Sequence, residues 1–283
     1  MTATTVPLPR LATPTRRSRS VSVIPALTLR RLALSVRSPR ALAVPLLAPI
    51  LFALVVAPAL ASTLARPGQQ NTYMTYFALA TAGLLVPLNC LFSGLGVIVD
   101  RDTGAMRELL VAPIRRSSIV VGNLLAVLAI TALQLAVLIG VSALRGASYA
   151  TGVHLLWFLA AAVLFSIAMY GLAEILAARI PSPVEYTGVI PAFAIVPFFF
   201  AGSLYPIVSL PHWLTDVARV LPLTHALAIF RYGLTAHGSQ ALHDIWGMSN
   251  ATEMAALSLG VLAVYAVVIY TGAVRVFTRS GTS

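Results

Sequence analysis

Six long stretches without a charged residue are the feature that most restricts how this chain can fold. An unpaired charge is costly in the hydrocarbon core of a bilayer, so membrane-spanning helices rarely contain Asp, Glu or Arg. The six stretches contain 25, 33, 28, 28, 30 and 21 residues, and the next longest contains 12. They are, in order, Ala41 to Ala65, Pro67 to Val99, Ser117 to Leu144, Gly146 to Ala173, Tyr186 to Thr215 and Met254 to Val274. A helix needs about 20 apolar residues to cross the bilayer core, so the sequence predicts an all-α membrane protein with six transmembrane helices.

The arginines predict how these six helices are oriented. Cytoplasmic loops near transmembrane helices carry an excess of Lys and Arg, and all 19 basic residues of this chain are arginine. If the six spans alternate in direction, one side of the membrane receives 15 arginines and the other receives 4, which are Arg66, Arg145, Arg219 and Arg231. The sequence therefore predicts that the N-terminus and the C-terminus both lie in the cytoplasm.

The residues before the first span divide into two parts. The first part, rich in Pro, Ser, Thr and Arg, predicts a disordered basic tail near anionic lipid. In the second part, apolar residues recur at helical spacing while Arg30 and Arg37 lie on another face, which predicts an amphipathic helix along the inner membrane surface. The apolar positions are Leu29, Leu32, Ala33 and Val36. A solvated basic tail without function is the alternative. The predicted organisation is thus a tail at residues 1–20, an interfacial helix at 21–40, a six-span domain at 41–277 and a cytoplasmic C-terminal tail at 278–283.

Several residue types needed for chemistry are absent from the sequence. Without any lysine, the chain has neither a P-loop nor a Schiff-base amine. The single Cys90 permits no cysteine metal cluster, and none of the five histidines pairs with a carboxylate at zinc spacing. No carboxylate falls near the middle of a span, and Glu174 is expected at the inner interface, near Arg179. We therefore expect no enzyme activity, no cofactor, no metal, no ion-coupled transport and no nucleic-acid partner, with energy supplied by another polypeptide.

The segment between the second and third spans predicts a short helix facing the cytoplasm. It runs from Asp100 to Arg116, with good helix formers from Ala105 to Val111 and Pro113 to end the helix. Its charges nearly cancel, and Met106, Leu109 and Leu110 form an apolar edge. A solvated loop is the alternative interpretation.

The segment from Phe198 to Gly233 is too apolar to be placed easily in water. Three prolines, Pro206, Pro211 and Pro222, divide it into pieces too short to cross the bilayer. A re-entrant pair of helices on the outer side, between the fifth and sixth spans, satisfies both constraints. Trp213 is then expected at the interface, and Asp216 and Arg219 are expected to pair at i, i+3.

Both segments resemble a known family. The order Asp-Arg-x-x-Gly-x-x-Arg-x-Leu-Leu-x-x-Pro-x-x-Arg, which starts at Asp100, resembles the motif between the second and third membrane helices of ABC-2-type export permeases, in particular the daunorubicin-resistance-like drug exporters of bacteria. In that family this helix is the coupling helix, which docks on a partner ATPase. The resemblance implies docking by Gly104, Arg107, Glu108, Leu109, Leu110 and Pro113. Ala105 stands where many members have Thr.

The later segment is similar to the extracellular re-entrant helices of the same family, which form a gate above the fifth span. The matching positions are Gly202, Pro206, Pro211, Trp213, Leu214, Pro222, Leu223, Thr224 and Arg231. The resemblance covers roughly residues 25 to 277. It is carried by two separate motifs, each at the expected place along a chain of six predicted spans.

The resemblance implies the membrane subunit of an ATP-driven ABC exporter in the bacterial inner membrane. The implied partners are two ABC ATPase subunits, which hold ATP and Mg, a second identical or homologous permease, and membrane lipid. The apolar spans suit a hydrophobic or amphipathic cargo, as in multidrug efflux, antibiotic resistance or lipid export. The candidate residues of the substrate path are Phe77, Asn89, Phe193, Phe198, Phe199 and Phe200. Packing against lipid or other helices is the alternative role for these side chains. Glycan export and a non-transporting scaffold or sensor subunit remain alternatives for the whole chain.

Overall fold

A computed structural model describes residues 16–37, 47, 50–64, 70–150, 152–235 and 238–280. Within these residues the regular structure is entirely helical. Its α-helices are α1 (Arg16–Arg37), α2 (Ala57–Leu64, preceded by a π-helical turn at Phe52–Val56), α3 (Gln70–Asp102), α4 (Ala105–Val111), α5 (Arg116–Leu144), α6 (Leu155–Arg179), α7 (Pro183–Phe200), α8 (His212–Val220), α9 (Pro222–Leu234), α10 (Gln240–Trp246) and α11 (Ala251–Ser280). A 3-10 turn at Ile207–Ser209 precedes α8.

Five of the described helices are long and apolar enough to cross a membrane. They are α3, α5, α6, α7 and α11, and they coincide with the second to sixth predicted spans. The first predicted span, Ala41 to Ala65, lies partly outside the described residues, and its described part contains α2 and the π-helical turn. The prediction of an all-α membrane protein is confirmed.

Helix α6 is at the centre of the core and packs against α3, α9 and α11. Its contact with α11 is close because Gly171 faces the backbone of Tyr270, and a Cβ atom at position 171 would lie 3.0 Å from the Tyr270 Cα. Small residues at such positions let membrane helices approach each other. The core around α6 contains large side chains that are fully buried, among them Phe165, Tyr186 and Phe230.

Uncharged polar side chains connect the long helices. The Asn89 amide on α3 donates a hydrogen bond of 2.7 Å to the Thr131 hydroxyl on α5, and the Tyr186 hydroxyl on α7 donates to the Leu91 carbonyl on α3 at 2.7 Å. Asn89 therefore holds two helices together. The side-chain amide of Gln134 on α5 is also buried, but it has no hydrogen-bond partner among the described residues.

The alternating helices give the molecule two ends, which we name the α4 face and the α9 face. The α4 face contains α4 and the C-terminal ends of α3, α6 and α11. The α9 face contains α8, α9, α10 and the opposite ends of the same long helices. This arrangement separates the two sequence motifs by the full length of the long helices.

Helix α1 lies at the α4 face and packs along α5. It begins at Arg16, inside the segment predicted as a tail, while residues 1–15 lie outside the described part of the chain; α11 continues to Ser280, beyond the predicted domain end. Leu27 is buried against Gly122 of α5, whereas Leu29 and Ala33 of the predicted apolar stripe are exposed. These two positions of the stripe therefore remain free to contact lipid.

Candidate functional site

Helix α4 begins with a sharp change of chain direction at Gly104. This glycine has a φ of 81°, a left-handed conformation that other residues rarely adopt, and its carbonyl accepts a hydrogen bond of 2.9 Å from the Arg107 amide. Met106 is buried and Leu110 packs against the core, whereas Arg107 and Glu108 are exposed. The helix therefore lies flat on the bundle with a charged side outward. The expectation that Met106 belongs to the outward apolar edge is wrong, because this side chain attaches α4 to the bundle.

The outward surface of α4 continues into the turn that follows. Val111 is 86% exposed, Pro113 is exposed and Leu109 is half-buried. Of the six residues predicted to dock a partner, Arg107, Glu108 and Pro113 thus lie on the open surface, Leu109 and Leu110 at its edge, and Gly104 in the preceding turn. This surface combines both signs of charge with a small apolar area.

Arg101, just before α4, is bound to the turn that joins α6 and α7. Its guanidinium donates hydrogen bonds to the carbonyls of Ala177 at 3.2 Å, Pro181 at 3.2 Å and Ile180 at 3.4 Å. The last carbonyls of a helix have no partner inside the helix and carry the negative end of its dipole. An arginine can donate hydrogen bonds to these carbonyls, and its positive charge is attracted to the negative end of the dipole. Arg101 therefore links the end of α3, just before α4, to the α6–α7 turn.

Arg116, just after α4, forms a corresponding link to α11. Its guanidinium donates a hydrogen bond of 2.8 Å to the Thr278 carbonyl, in the last turns of α11. We call Arg101 and Arg116 the flanking arginines. Together they connect the residues on either side of α4 to the end of α6, to the α6–α7 turn and to α11, so a displacement of α4 that keeps these hydrogen bonds intact also moves those elements.

A buried carboxylate at the end of α3 holds α1. Asp100 forms ion pairs with Arg30 and Arg31, both at 3.3 Å, and Arg31 also donates to the Ser93 carbonyl at 2.8 Å. Gly96 makes this approach possible, because a Cβ atom there would overlap the Arg31 guanidinium. The sequence indicated Arg30 only as a member of a charged helix face, and it indicated neither the role of Arg31 nor the pairing with Asp100.

Glu174 is a buried carboxylate near the C-terminal end of α6. It is 3% exposed and accepts a hydrogen bond from the Tyr170 hydroxyl one helical turn away. Its second carboxylate oxygen has no partner among the described residues. The side chain therefore faces neighbouring helices, and the predicted level of Glu174 near the inner interface stays a prediction.

At the α9 face, Arg231 holds the turn that follows α7. Its guanidinium donates hydrogen bonds of 2.9 Å to the carbonyls of Gly202 and Ser203 and lies 3.8 Å from the centre of the Tyr76 ring. Gly202 has a φ of 76°, so the chain can reverse sharply at this point. The structure thus brings together Gly202 and Arg231, which are predicted gate residues 29 positions apart.

The other predicted gate residues surround this turn. Pro211 and Pro222 lie at the starts of α8 and α9, where a missing N–H does no harm. Leu223 and Thr224 are buried, Leu214 is half-buried, and Pro206 and Trp213 are exposed. Asp216 and Arg219 form the predicted i, i+3 ion pair, at 3.4 Å.

A chain of hydrogen bonds that the sequence did not indicate closes the α9 face. The Trp246 indole donates to the Ser258 hydroxyl at 2.8 Å, and that hydroxyl lies 3.2 Å from His225 Nδ1. His225 Nε2 lies 2.9 Å from the Arg219 carbonyl. A neutral imidazole satisfies both contacts if Nε2 carries the proton and Nδ1 accepts from Ser258. Burial lowers the pKa of His225, which favours this neutral form.

The predicted substrate-path residues do not converge on one place. Phe77 and Phe198 are buried in the bundle, whereas Phe193 and Phe199 are exposed on α7 and Phe200 is half-buried. Asn89 lines a cavity of about 360 Å³ that α1, α3 and α5 border. Among the described residues, no group of three or more His, Cys, Asp or Glu side chains could hold a metal ion.

Comparison with known proteins agrees with the two motifs. The family model described as ABC-2 type transporter matches residues 23–235, a range that contains α4, both flanking arginines and the turn held by Arg231. Two proteins named "Putative transport permease ycf38", from Porphyra purpurea and Pyropia yezoensis, are each 28% identical to the chain over 142 and 145 residues, respectively. Each match covers 50% of this chain and 48% of the relative, so the chain spans about half the length of these curated relatives. Because the family match covers most of its length, the chain belongs to the ABC-2 type transporter family, whose members are the membrane components of ABC transporters.

Proposed function

We propose that this chain is the transmembrane subunit of an ATP-driven exporter that moves a hydrophobic or amphipathic cargo, drug-like or lipid-like, out of a bacterial cell. The observation that carries the proposal is the position of α4. It exposes a mixed charged and apolar surface, and the flanking arginines connect it to the ends of α6 and α11 and to the turn that leads into α7. A partner that moves α4 therefore moves the bundle.

The proposed arrangement has six spans, with Ala41 to Ala65 as the first. The α4 face is then cytoplasmic, since that side receives 15 of the 19 arginines. Two ABC ATPase subunits bind ATP and Mg and dock on α4, and a second permease, identical or homologous, completes the pathway. The outer helices α8 and α9 are the re-entrant pair, and residues 1–20 form the basic tail.

The contacts suggest how movement of α4 reaches the opposite face. Helix α7 runs from the turn held by Arg101 to the turn held by Arg231. Helix α11 runs from the Arg116 contact at Thr278 to Ser258, which contacts His225 and Trp246. An α-helix that shifts along its axis moves approximately as a rigid rod. Displacement of α4 is therefore transmitted through α7 to the turn held by Arg231, and through α11 to the contacts of Ser258 with His225 and Trp246.

The cavities support a hydrophobic cargo. The cavity beside Asn89 has a volume of about 360 Å³, and an almost entirely apolar one between α5 and α6 has about 390 Å³. Both fall in the range of about 300–1,000 Å³ found for small-molecule sites. The first has Arg31 and Asp100 at its rim, which suits a molecule with one polar end.

The docking proposal is tested by Val111→Asp, which places a charge on the outward surface of α4. The matched control is Val184→Asp at the start of α7, since Val184 is 79% exposed at the same face but is not part of α4. We expect the ATPase subunits to co-purify with the control and to be lost from the Val111 variant. Loss with both variants, or retention with both, would mean that the ATPase docks elsewhere.

A transport measurement tests the direction and the energy source. Permease and ATPase reconstituted in vesicles should move a lipophilic dye in an ATP-dependent way that a protonophore does not abolish. If the ATPase binds and hydrolyses ATP but no dye, lipid or glycan moves, the chain is a scaffold or sensor subunit.

A further inference from the structure

A small cavity with charged, hydroxyl and apolar groups in its walls lies at the α9 face, away from the Asn89 cavity. It has a volume of about 210 Å³, and its walls include Thr72, Tyr76, Ser148, Arg231 and Asp244. This volume is below the range of about 300–1,000 Å³ in which drug-sized molecules bind. The cavity therefore suits a small polar group rather than the cargo of an exporter.

Arg231 gives this cavity a buried positive charge that no carboxylate of the described residues approaches to ion-pair distance, although the charge of Asp244 partly compensates it. The side chain is 7% exposed, and none of the ion pairs among the described residues includes it. Two carbonyls and the Tyr76 ring surround the guanidinium, but its Nε has no hydrogen-bond partner in the described part of the chain. A buried cation of this kind is costly, and an anion in the cavity would offset that cost.

Asp244 gives the same cavity a negative charge. Its carboxylate accepts a hydrogen bond of 3.1 Å from the Gln240 amide and forms no ion pair with an arginine among the described residues. Arg231 and Asp244 thus line one cavity without pairing with each other. A simple anion would meet an unfavourable carboxylate there, whereas a molecule with both charges would satisfy both walls.

We propose that this cavity binds a small zwitterion in which a phosphate and a primary ammonium are joined by a short linker. The phosphate lies against Arg231, whose guanidinium suits oxyanions, and the ammonium lies against Asp244. Hydroxyl groups of Thr72 and Ser148 border the space between them. Such a group occurs as the headgroup of a phospholipid and as a free phosphoethanolamine ester. The proposal is independent of the ATPase and of the exported cargo.

Calorimetric titration of the purified, delipidated chain with O-phosphoethanolamine tests the proposal. We expect saturable binding that is at least about tenfold tighter than binding of inorganic phosphate or of ethanolamine, since each lacks one of the two charge contacts. In Asp244→Asn, O-phosphoethanolamine and inorganic phosphate should bind about equally. Arg231 is left intact because it holds the turn after α7.

A second variant tests the position of the site. Ala241→Phe fills the cavity, which Ala241 lines, without changing a charge, and it should abolish binding; Val268→Phe, on the exposed side of α11, should not. Competition by phosphatidylethanolamine in nanodiscs, but not by phosphatidylglycerol, would identify a lipid headgroup, and its failure would identify the free ester. Absence of binding, equal binding of phosphate and O-phosphoethanolamine to the native chain, or unchanged binding in Asp244→Asn would overturn the proposal.

Discussion

The two ends of this permease are held together by different kinds of contact. At the α4 face, long arginine side chains reach from one helix to another. Of these, Arg101 is exposed and Arg30 and Arg116 are half-buried. At the α9 face, the contacts of Arg231, His225 and Ser258 are buried. Both ends use hydrogen bonds of similar length, between 2.8 and 3.4 Å. The difference is therefore in burial rather than in geometry.

Burial decides what happens when such a contact is broken. A partly exposed arginine that loses a carbonyl can turn to water, so the loss is small and depends on salt. A buried group that loses its partner keeps the full cost of desolvation. We infer that the α4 face tolerates movement and that the α9 face opens only as a unit. The following predictions test this contrast.

The largest effect is expected from Arg231→Gln at the α9 face. The substitution leaves the carbonyls of Gly202 and Ser203 without their charged donor inside the bundle, which should lower stability by about 3 kcal/mol. Thermal unfolding in detergent measures it. Arg219→Gln is the matched control, because it breaks an ion pair whose side chains are 45% and 74% exposed. Equal destabilisation by both variants would contradict the contrast in burial.

A smaller loss of stability is expected from Gly96→Ala, which tests whether the contacts of Arg31 hold α1 against α3. The added Cβ would overlap the Arg31 guanidinium and force it away from Asp100 and Ser93. We expect α1 to detach, so that trypsin cleaves at Arg30 and Arg31 several times faster than in the native chain, for a cost of about 1–2 kcal/mol. Gly260→Ala is the control, since no described atom lies within 4 Å of its added Cβ. Unchanged cleavage in the Gly96 variant would mean that the arginines do not fix α1.

The flanking arginines should affect coupling more than stability. Arg101→Gln removes a charged donor from the α6–α7 turn at a cost of about 1 kcal/mol. With the ATPase bound, dye moved per ATP hydrolysed should fall by about fivefold, while ATPase co-purification stays normal. Arg107→Gln, on the outward surface of α4, should instead weaken co-purification. A fall in ATPase binding with Arg101→Gln would assign that residue to docking.

The smallest effect is a pH dependence at the α9 face. Because burial lowers the pKa of His225 in the folded protein, the unfolded chain binds more protons there below its ordinary pKa of about 6.5. The contribution of the neutral His225 to stability is therefore fully present above about pH 6.5, the ordinary pKa, and decreases as the pH falls below it. Unfolding midpoints between about pH 8 and pH 5 should show this slope. His225→Asn should reduce it, whereas His212→Gln, at an exposed position, should leave it in place.

The parts of this structure that sequence could predict depend on local rules. The long uncharged stretches indicated α3, α5, α6, α7 and α11 because excluding charge is a property of each span alone. The boundaries of α4 followed from Gly104 and Pro113, which act on the residues next to them. The pair Asp216–Arg219 was predictable because its members are one helical turn apart.

The contacts that join distant segments could not be predicted in this way. The flanking arginines bind backbone carbonyls, and every residue has a carbonyl, so no sequence pattern marks the partner. His225 and Ser258 are 33 residues apart, and nothing local relates them. The burial of Glu174 could not be predicted from its position along α6, because it depends on neighbouring helices that extend far enough to enclose the side chain.

The ion pairs of Asp100 also constrain how the chain is assembled during synthesis. Arg30 precedes its carboxylate partner by 70 residues, so α1 leaves the ribosome well before the end of α3 exists. Until then its arginines lack this carboxylate partner. Synthesis of the end of α3 supplies the partner within the same chain. Completion of α3 therefore gives α1 its first charged partner within the chain, before α5, the helix along which α1 packs, has been made.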